Sequence, residues 1–130
     1  MTDAPARRPP GTIVLVADDD PLIRDICQTL LQEEGYRVTV ARTGQEARDQ
    51  VGQTRPAVIL LDIMMPVEDG LAACATLQAD PGTQAIPVVI MSATDRIAER
   101  AAAAGCAPAA ILVKPFDLDD LLQVVRQFEE

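Results

Sequence analysis

Five short apolar runs punctuate the chain, and four of them are continuous: Thr12–Ala17, Ala57–Leu61, Pro87–Met91 and Ala110–Val113. Continuous runs of this length are expected of strands covered on both faces by helices. The remaining run, Tyr36–Ala41, alternates, with Tyr36, Val38 and Val40 apolar and Arg37 and Thr39 polar. That pattern suits an edge strand with one partly solvated face. Between the runs the period becomes helical. Ile23, Ile26, Cys27, Leu30 and Leu31 share one face of a first helix, and Thr43-Gly44-Gln45-Glu46 fits a capping box opening the second. Leu71 to Gln78 supplies a third. A fourth, around Asp95 to Ala104, is alanine-rich with a weak stripe. Leu118, Leu121, Leu122, Val125 and Phe128 line the last.

This (βα)5 alternation predicts an α/β fold, a doubly wound parallel five-stranded sheet with right-handed crossovers. An alternating second strand belongs at an edge, which favours the strand order 2-1-3-4-5. The first and third strands are then neighbours, and a crevice opens outside their carboxyl ends. Polar residues end the runs at that rim. Asp18-Asp19-Asp20 follows the first, Asp62 the third and Ser92 the fourth, while Lys114, the only lysine in the chain, follows the fifth.

Composition narrows what such a rim can serve. A chain of 130 residues, 48% of them hydrophobic, is one domain able to bury a core. The formal charge of −9 argues against nucleic acid or an anionic membrane as partner. No apolar stretch approaches the roughly 20 residues of a membrane span, and no signal-peptide pattern follows Met1. A cytoplasmic location is therefore expected, with residues 1–11 as a disordered leader. Cys27, Cys74 and Cys106 lack metal-ligand spacing and are expected to be buried free thiols. Histidine is absent. There is no imidazole for acid–base work, and any phosphohistidine must belong to a partner.

Clustered carboxylates at a strand edge repel and raise one another's pKa, so a cation must neutralise them. Magnesium fits, because it binds one or two carboxylates, keeps waters and recruits phosphate. Lys114 adds a compact positive charge and Ser92 a hydroxyl that can donate to a phosphoryl oxygen. Asp62, alone on the central strand between metal and lysine, is the residue to accept a phosphoryl group as an acyl phosphate. Other acids read as structural. Asp20 before Pro21 suits a helix N-cap, as does Asp117 before Leu118. Glu68 and Asp69 beside Gly70 read as solvated turn residues.

With these residues in place the chain resembles the receiver domain of two-component response regulators, over essentially all of Thr12 to Phe128. The resemblance rests on Val16-Ala17-Asp18-Asp19-Asp20-Pro21, Leu61-Asp62-Ile63-Met64-Met65-Pro66, Asp69-Gly70, Met91-Ser92-Ala93 and Lys114-Pro115-Phe116. It implies a flavodoxin-like receiver domain over residues 12–130, with Asp62 as phosphoacceptor. It further implies Mg2+ held by Asp18, Asp19, Asp62 and the Met64 backbone carbonyl, with Ser92 sensing phosphate. Lys114 would be the counter-charge, aimed by a cis bond to Pro115. Two positions depart from the family pattern. Ile111 stands where a switching Tyr or Phe is usual, and Ala109-Ala110 replaces an acidic pair used in dimer salt bridges. Isoleucine is stiff at χ1, so Ile111 is expected to keep one rotamer, partly covering the space beside Ser92.

The implied function is a signalling module. A sensor histidine kinase or histidine phosphotransfer protein donates to Asp62, and the altered surface changes affinity for a downstream effector protein or output domain. The alternatives are a degenerate receiver acting as a phosphorylation-independent scaffold and a haloacid-dehalogenase-type phosphatase. The phosphatase would use the Asp-x-Asp spacing of Asp18 and Asp20, but its usual continuation is missing. Flavin binding on the same fold would need a Ser/Thr/Gly-rich phosphate loop, which does not follow the first strand.

Overall fold

The computed structural model describes residues 11–65, 68–93 and 96–128. The expected leader up to residue 10, Pro66 of the Met-Met-Pro turn and Asp95 at the start of the expected fourth helix lie outside the described residues.

Strands and helices alternate: β1 Ile13–Ala17, α1 Pro21–Glu33, β2 Arg37–Ala41, α2 Gly44–Thr54, β3 Val58–Asp62, α3 Gly70–Ala79, β4 Val88–Ser92, α4 Ala98–Ala103, β5 Ala110–Val113 and α5 Leu118–Arg126. The sheet is parallel with order β2-β1-β3-β4-β5, as the alternating run at Tyr36–Ala41 predicts. β3 and β4 each extend one residue past their apolar runs, to Asp62 and Ser92. The backbone ladder continues there, with Asp62 in register with Met91 and Ser92 with Val113. Main-chain pairing is indifferent to whether a side chain is apolar.

Strand alternation sends side chains into two cores. Leu15, Ile59, Leu61, Val88 and Ile90 pack with residues of α2, α3 and α4. Val14, Val16, Val58, Leu60, Val89, Met91 and Leu112 pack on the other face with residues of α1 and α5, and Tyr36 joins them. Both faces of β3 and β4 are buried throughout. Polar backbone ends are capped as the sequence suggests. Asp20 accepts from the Leu22 amide with Pro21 at N1 of α1. Asp117 and Asp120 form a reciprocal capping box at α5. The box expected at α2 is half formed. Thr43 Oγ1 accepts from the Glu46 amide, but Glu46 turns its carboxylate to the Arg42 amide and guanidinium.

Several expectations are corrected. Ile26 and Leu118, assigned to core-facing stripes, are exposed at 45% and 37%, because each lies at the margin of an apolar face that its helix only partly buries. α4 is shorter than expected and starts after Ile97 with no side-chain cap. Ile97 and Ala101 are its buried anchors. Cys27 is a buried free thiol, pushed up to about 11 by burial and then by the Asp18 charge. Cys74 and Cys106, expected to be free, are joined as a disulfide with Cα atoms 5.6 Å apart. Their separation of 32 in sequence hid a contact made only when α3 meets the turn after α4. No described helix is long and apolar enough to cross a membrane.

Candidate functional site

The first and third strands end side by side, and the site is built on that junction. Asp18 follows β1 and is fully buried. Its amide donates to the Ala41 carbonyl, its Oδ1 accepts from the Asp20 amide at 2.9 Å, and its carbonyl accepts from Arg24 at 2.9 Å. Asp62 closes β3 and is 4% exposed, whereas Asp19 faces solvent. Lys114, just past β5, spans the two buried acids. Its Nζ lies 2.8 Å from Asp18 Oδ2 and 3.3 Å from Asp62 Oδ1. The Lys114–Pro115 peptide is cis. Close packing behind Asp62 depends on Gly70, because a Cβ there would collide with the Asp62 carbonyl and the Ile63 Cα.

These residues open into a cleft of about 570 Å3 lined by Asp18, Asp19, Asp20, Asp62, Met64 and Lys114, with Asp69, Ala93 and Arg100 at its edge. One carboxylate oxygen each from Asp18, Asp19 and Asp62 lies within 4.8 Å of the others. Burial and then the Asp18 charge push the Asp62 carboxyl up to about 6, against the opposing pull of Lys114 and the Met64 amide. Burial alone would lower Lys114, but its bonds and charge contacts with Asp18 and Asp62 outweigh that and raise its pKa. One lysine therefore undercompensates the acids it touches. An all-oxygen, negatively charged, water-accessible set of this kind suits a hard dication, and Asp18, Asp19 and Asp62 are the side chains that could hold it. Met64 lies at the rim with its side chain 69% exposed and its amide directed at Asp62.

Two expected site residues sit apart. Ser92 is buried, and Ala93 rather than Ser92 lines the cleft. Ser92 belongs to the row of Ile90, one residue beyond Met91, which is the register partner of Asp62. Ile111 is half-buried opposite Ile90 and packs into the core shared with α3 and α4, away from the cleft. Asp20, caught in capping α1, is not available for Asp-x-Asp chemistry with Asp18.

Asp69 is exposed in the turn before α3 as expected, and Glu68 is only half-buried, but both also carry structural bonds. Asp69 caps α3 through the Ala72 amide, and Glu68 is held by Arg48 through two bonds of 2.9 and 2.7 Å. Arg24, Arg48 and Arg100 were not legible as site neighbours, since nothing in their local spacing points toward the strand ends.

A family model described as the response regulator receiver domain matches residues 14–126, and the chain belongs to that family. Among similar proteins, Response regulator MprA of Mycolicibacterium vanbaalenii is 36% identical over 113 residues, covering 87% of this chain and 48% of the relative. The chain thus spans about half the length of the curated relatives it matches. The receiver domain of sensor histidine kinase PA1611 from Pseudomonas aeruginosa is 26% identical with a TM-score of 0.82. That alignment covers 92% of this chain and 98% of the neighbour, whose structure has a magnesium ion coordinated in the active site cleft. Response regulator protein TrrA from Thermotoga maritima, in complex with Mg2+-BeF, is 27% identical with a TM-score of 0.79, covering 90% and 98%.

Proposed function

We propose that Asp62 is the phosphoacceptor of this receiver domain, loaded by a phosphohistidine on a sensor kinase or phosphotransfer protein. The observation that carries this is Asp62 itself: a buried carboxylate at a cleft mouth, grouped with two further acids and touched by the chain's only lysine. A carboxylate oxygen of Asp62 attacks phosphorus, the phosphorus–nitrogen bond of the donor breaks, and the departing imidazole keeps the bonding pair. A Mg2+ ion on Asp18, Asp19, Asp62 and the Met64 carbonyl would neutralise charge on the phosphoryl oxygens when bound. On this reading Lys114 would leave the acids for the phosphoryl group, and Ser92, at the end of β4, would donate to it. Ile111 takes no part in signalling on this reading and stays in its core contacts.

Beside the cleft, α1 exposes Ile26 at 45%, in a groove it shares with Ile23, Pro115 and Phe116. That apolar face suits docking of a donor protein. The output is altered affinity for an effector protein or output domain, without direct nucleic-acid contact. The same reading places the protein in the cytoplasm.

Incubation with magnesium and acetyl phosphate, followed by intact-mass analysis, tests the proposal. A single hydroxylamine-labile phosphoryl group is expected, and a chain that gains none would overturn it. Two variants separate metal from lysine. Asp19→Asn is expected to weaken Mg2+ binding about tenfold, equivalent to about 1.4 kcal/mol, read by amide NMR titration; an unchanged affinity would misplace the ion. Lys114→Ala removes a cation that competes for Asp18 and Asp62. It should bind Mg2+ as tightly as wild type or about threefold more tightly, yet fail to change conformation with beryllofluoride. Weaker Mg2+ binding in that variant would contradict the competition.

A further inference from the structure

The loop between β3 and α3 carries Met64 past Asp62, and its far end is fastened to a helix that contributes nothing to the cleft. The Glu68 carbonyl accepts from the Gly44 amide at 3.1 Å, at the first residue of α2. One turn later on the same helix, Arg48 presents its fork to the Glu68 carboxylate, Nε to Oε2 at 2.9 Å and Nη2 to Oε1 at 2.7 Å. The contact between helix and loop is tight. A Cβ on Gly44 would lie 2.5 Å from the Glu68 carbonyl oxygen and 2.9 Å from its Cγ. Immediately after Glu68 the chain enters the Asp69 cap, and the Gly70 amide returns to the Ile63 carbonyl at 3.2 Å. The Glu68 end of the loop is therefore tied to α2 through both main chain and side chain, and the Gly70 amide links that end back to Ile63 beside Asp62.

We propose that Arg48 and Glu68 are positioning residues: their paired fork holds the β3–α3 loop so that the Met64 main chain faces Asp62, and thereby sets cation affinity at a site neither touches. A bidentate guanidinium–carboxylate pair fixes orientation as well as distance. Groups that orient metal-facing ones tune affinity from outside the ligand shell. Both side chains are partly buried, at 33% and 21% exposure, so the pair is less screened than an open surface bridge. The inference rests on the proposed magnesium reading of the Asp18, Asp19 and Asp62 cluster.

The test is a magnesium chloride titration without phosphodonor, followed by the amide shifts of Met64 and Asp62, on wild type, Arg48→Met, Glu68→Gln and the double variant. Each single change is expected to weaken Mg2+ affinity about threefold to tenfold, below the 10–100-fold typical of a direct outer partner of a ligand. The double variant should match the singles, because either one already breaks the shared contact. Arg48→Lys keeps the charge but loses the fork, and should fall between wild type and Arg48→Met. A pair with a purely structural role would lower the thermal midpoint and leave Mg2+ affinity unchanged, which would overturn the inference, as would additive losses in the double variant. Wild-type protein that binds no magnesium would remove the site reading and this inference together. Binding by wild type with equal binding by the variants would remove the inference alone.

Discussion

Asp62→Asn protein, incubated with acetyl phosphate and magnesium, is expected to gain no hydroxylamine-labile phosphoryl group under conditions that label wild type. An amide oxygen lacks the charge needed to displace a leaving group from phosphorus, so the acyl phosphate cannot form. No neighbouring acid is placed to substitute fully. Asp18 Oδ1 is held by the Asp20 amide and Oδ2 by Lys114. Asp20 and Asp69 are occupied as helix caps. Asp19 is exposed, outside the buried pair that Lys114 spans. The fold should survive, since asparagine matches aspartate in shape and Asp62 lies at the end of a strand whose other residues are wholly buried. Full hydroxylamine-sensitive labelling of Asp62→Asn would move the acceptor elsewhere.

The same substitution is expected to stabilise the metal-free protein at neutral pH. In the folded chain the Asp62 carboxyl is pushed up to about 6 from 3.8, by burial first and the Asp18 charge second. The native state therefore holds this proton more tightly than the unfolded chain does. Below about 3.8 the group is protonated in both states and burying it carries no charge penalty. As pH rises from about 4 to 6 the unfolded chain ionises first, and stability falls. Above about 6 the penalty is complete, at about 3 kcal/mol for a shift of roughly two units. Asparagine escapes that penalty, which is already net of the attraction to Lys114, leaving a gain of about 1–3 kcal/mol. Urea unfolding in the absence of magnesium, at pH 7.5 and pH 4, measures the difference between variant and wild type. The gain should be present at the higher pH and shrink at the lower one. A destabilised variant at pH 7.5, or a gain independent of pH, would show that Asp62 is not the strained charge of the cleft. Millimolar magnesium should narrow the gap by stabilising wild type.

Much of the site could be read along the chain because strand ends announce themselves. An apolar run that stops at Asp62, and another that stops at Lys114, place those residues at the sheet edge whatever the details of packing. The parallel order then brings both ends to one rim, where the Lys114 side chain reaches Asp62 although β4 lies between their strands. Caps were legible for the same local reason: Asp20-Pro21 and Asp117 need only the next turn of helix to satisfy their carboxylates. Ser92 was less legible. Its place in sequence puts it at the rim, but the pleat gives it the row of Ile90, and the cleft wall falls to Ala93.

What escaped local reading depends on elements far apart in sequence meeting in space. Glu68 and Arg48, twenty residues apart, pair because α2 and the β3–α3 loop cross on one side of the sheet. Cys74 meets Cys106 only after β4 and α4 have been laid down between them. Ile26 and Leu118 carry the periodicity of a core face, yet each lies at a margin of its stripe that stays in water. Hydrophobic period and the residues that end each run, both local quantities, thus determined the order of strands and the chemistry at their tips. Distances among those tips, the double hold of Lys114 on Asp18 and Asp62, the raised Asp62 proton affinity and the brace behind the loop were decided by tertiary packing, because each depends on burial and on charges brought together from separate segments.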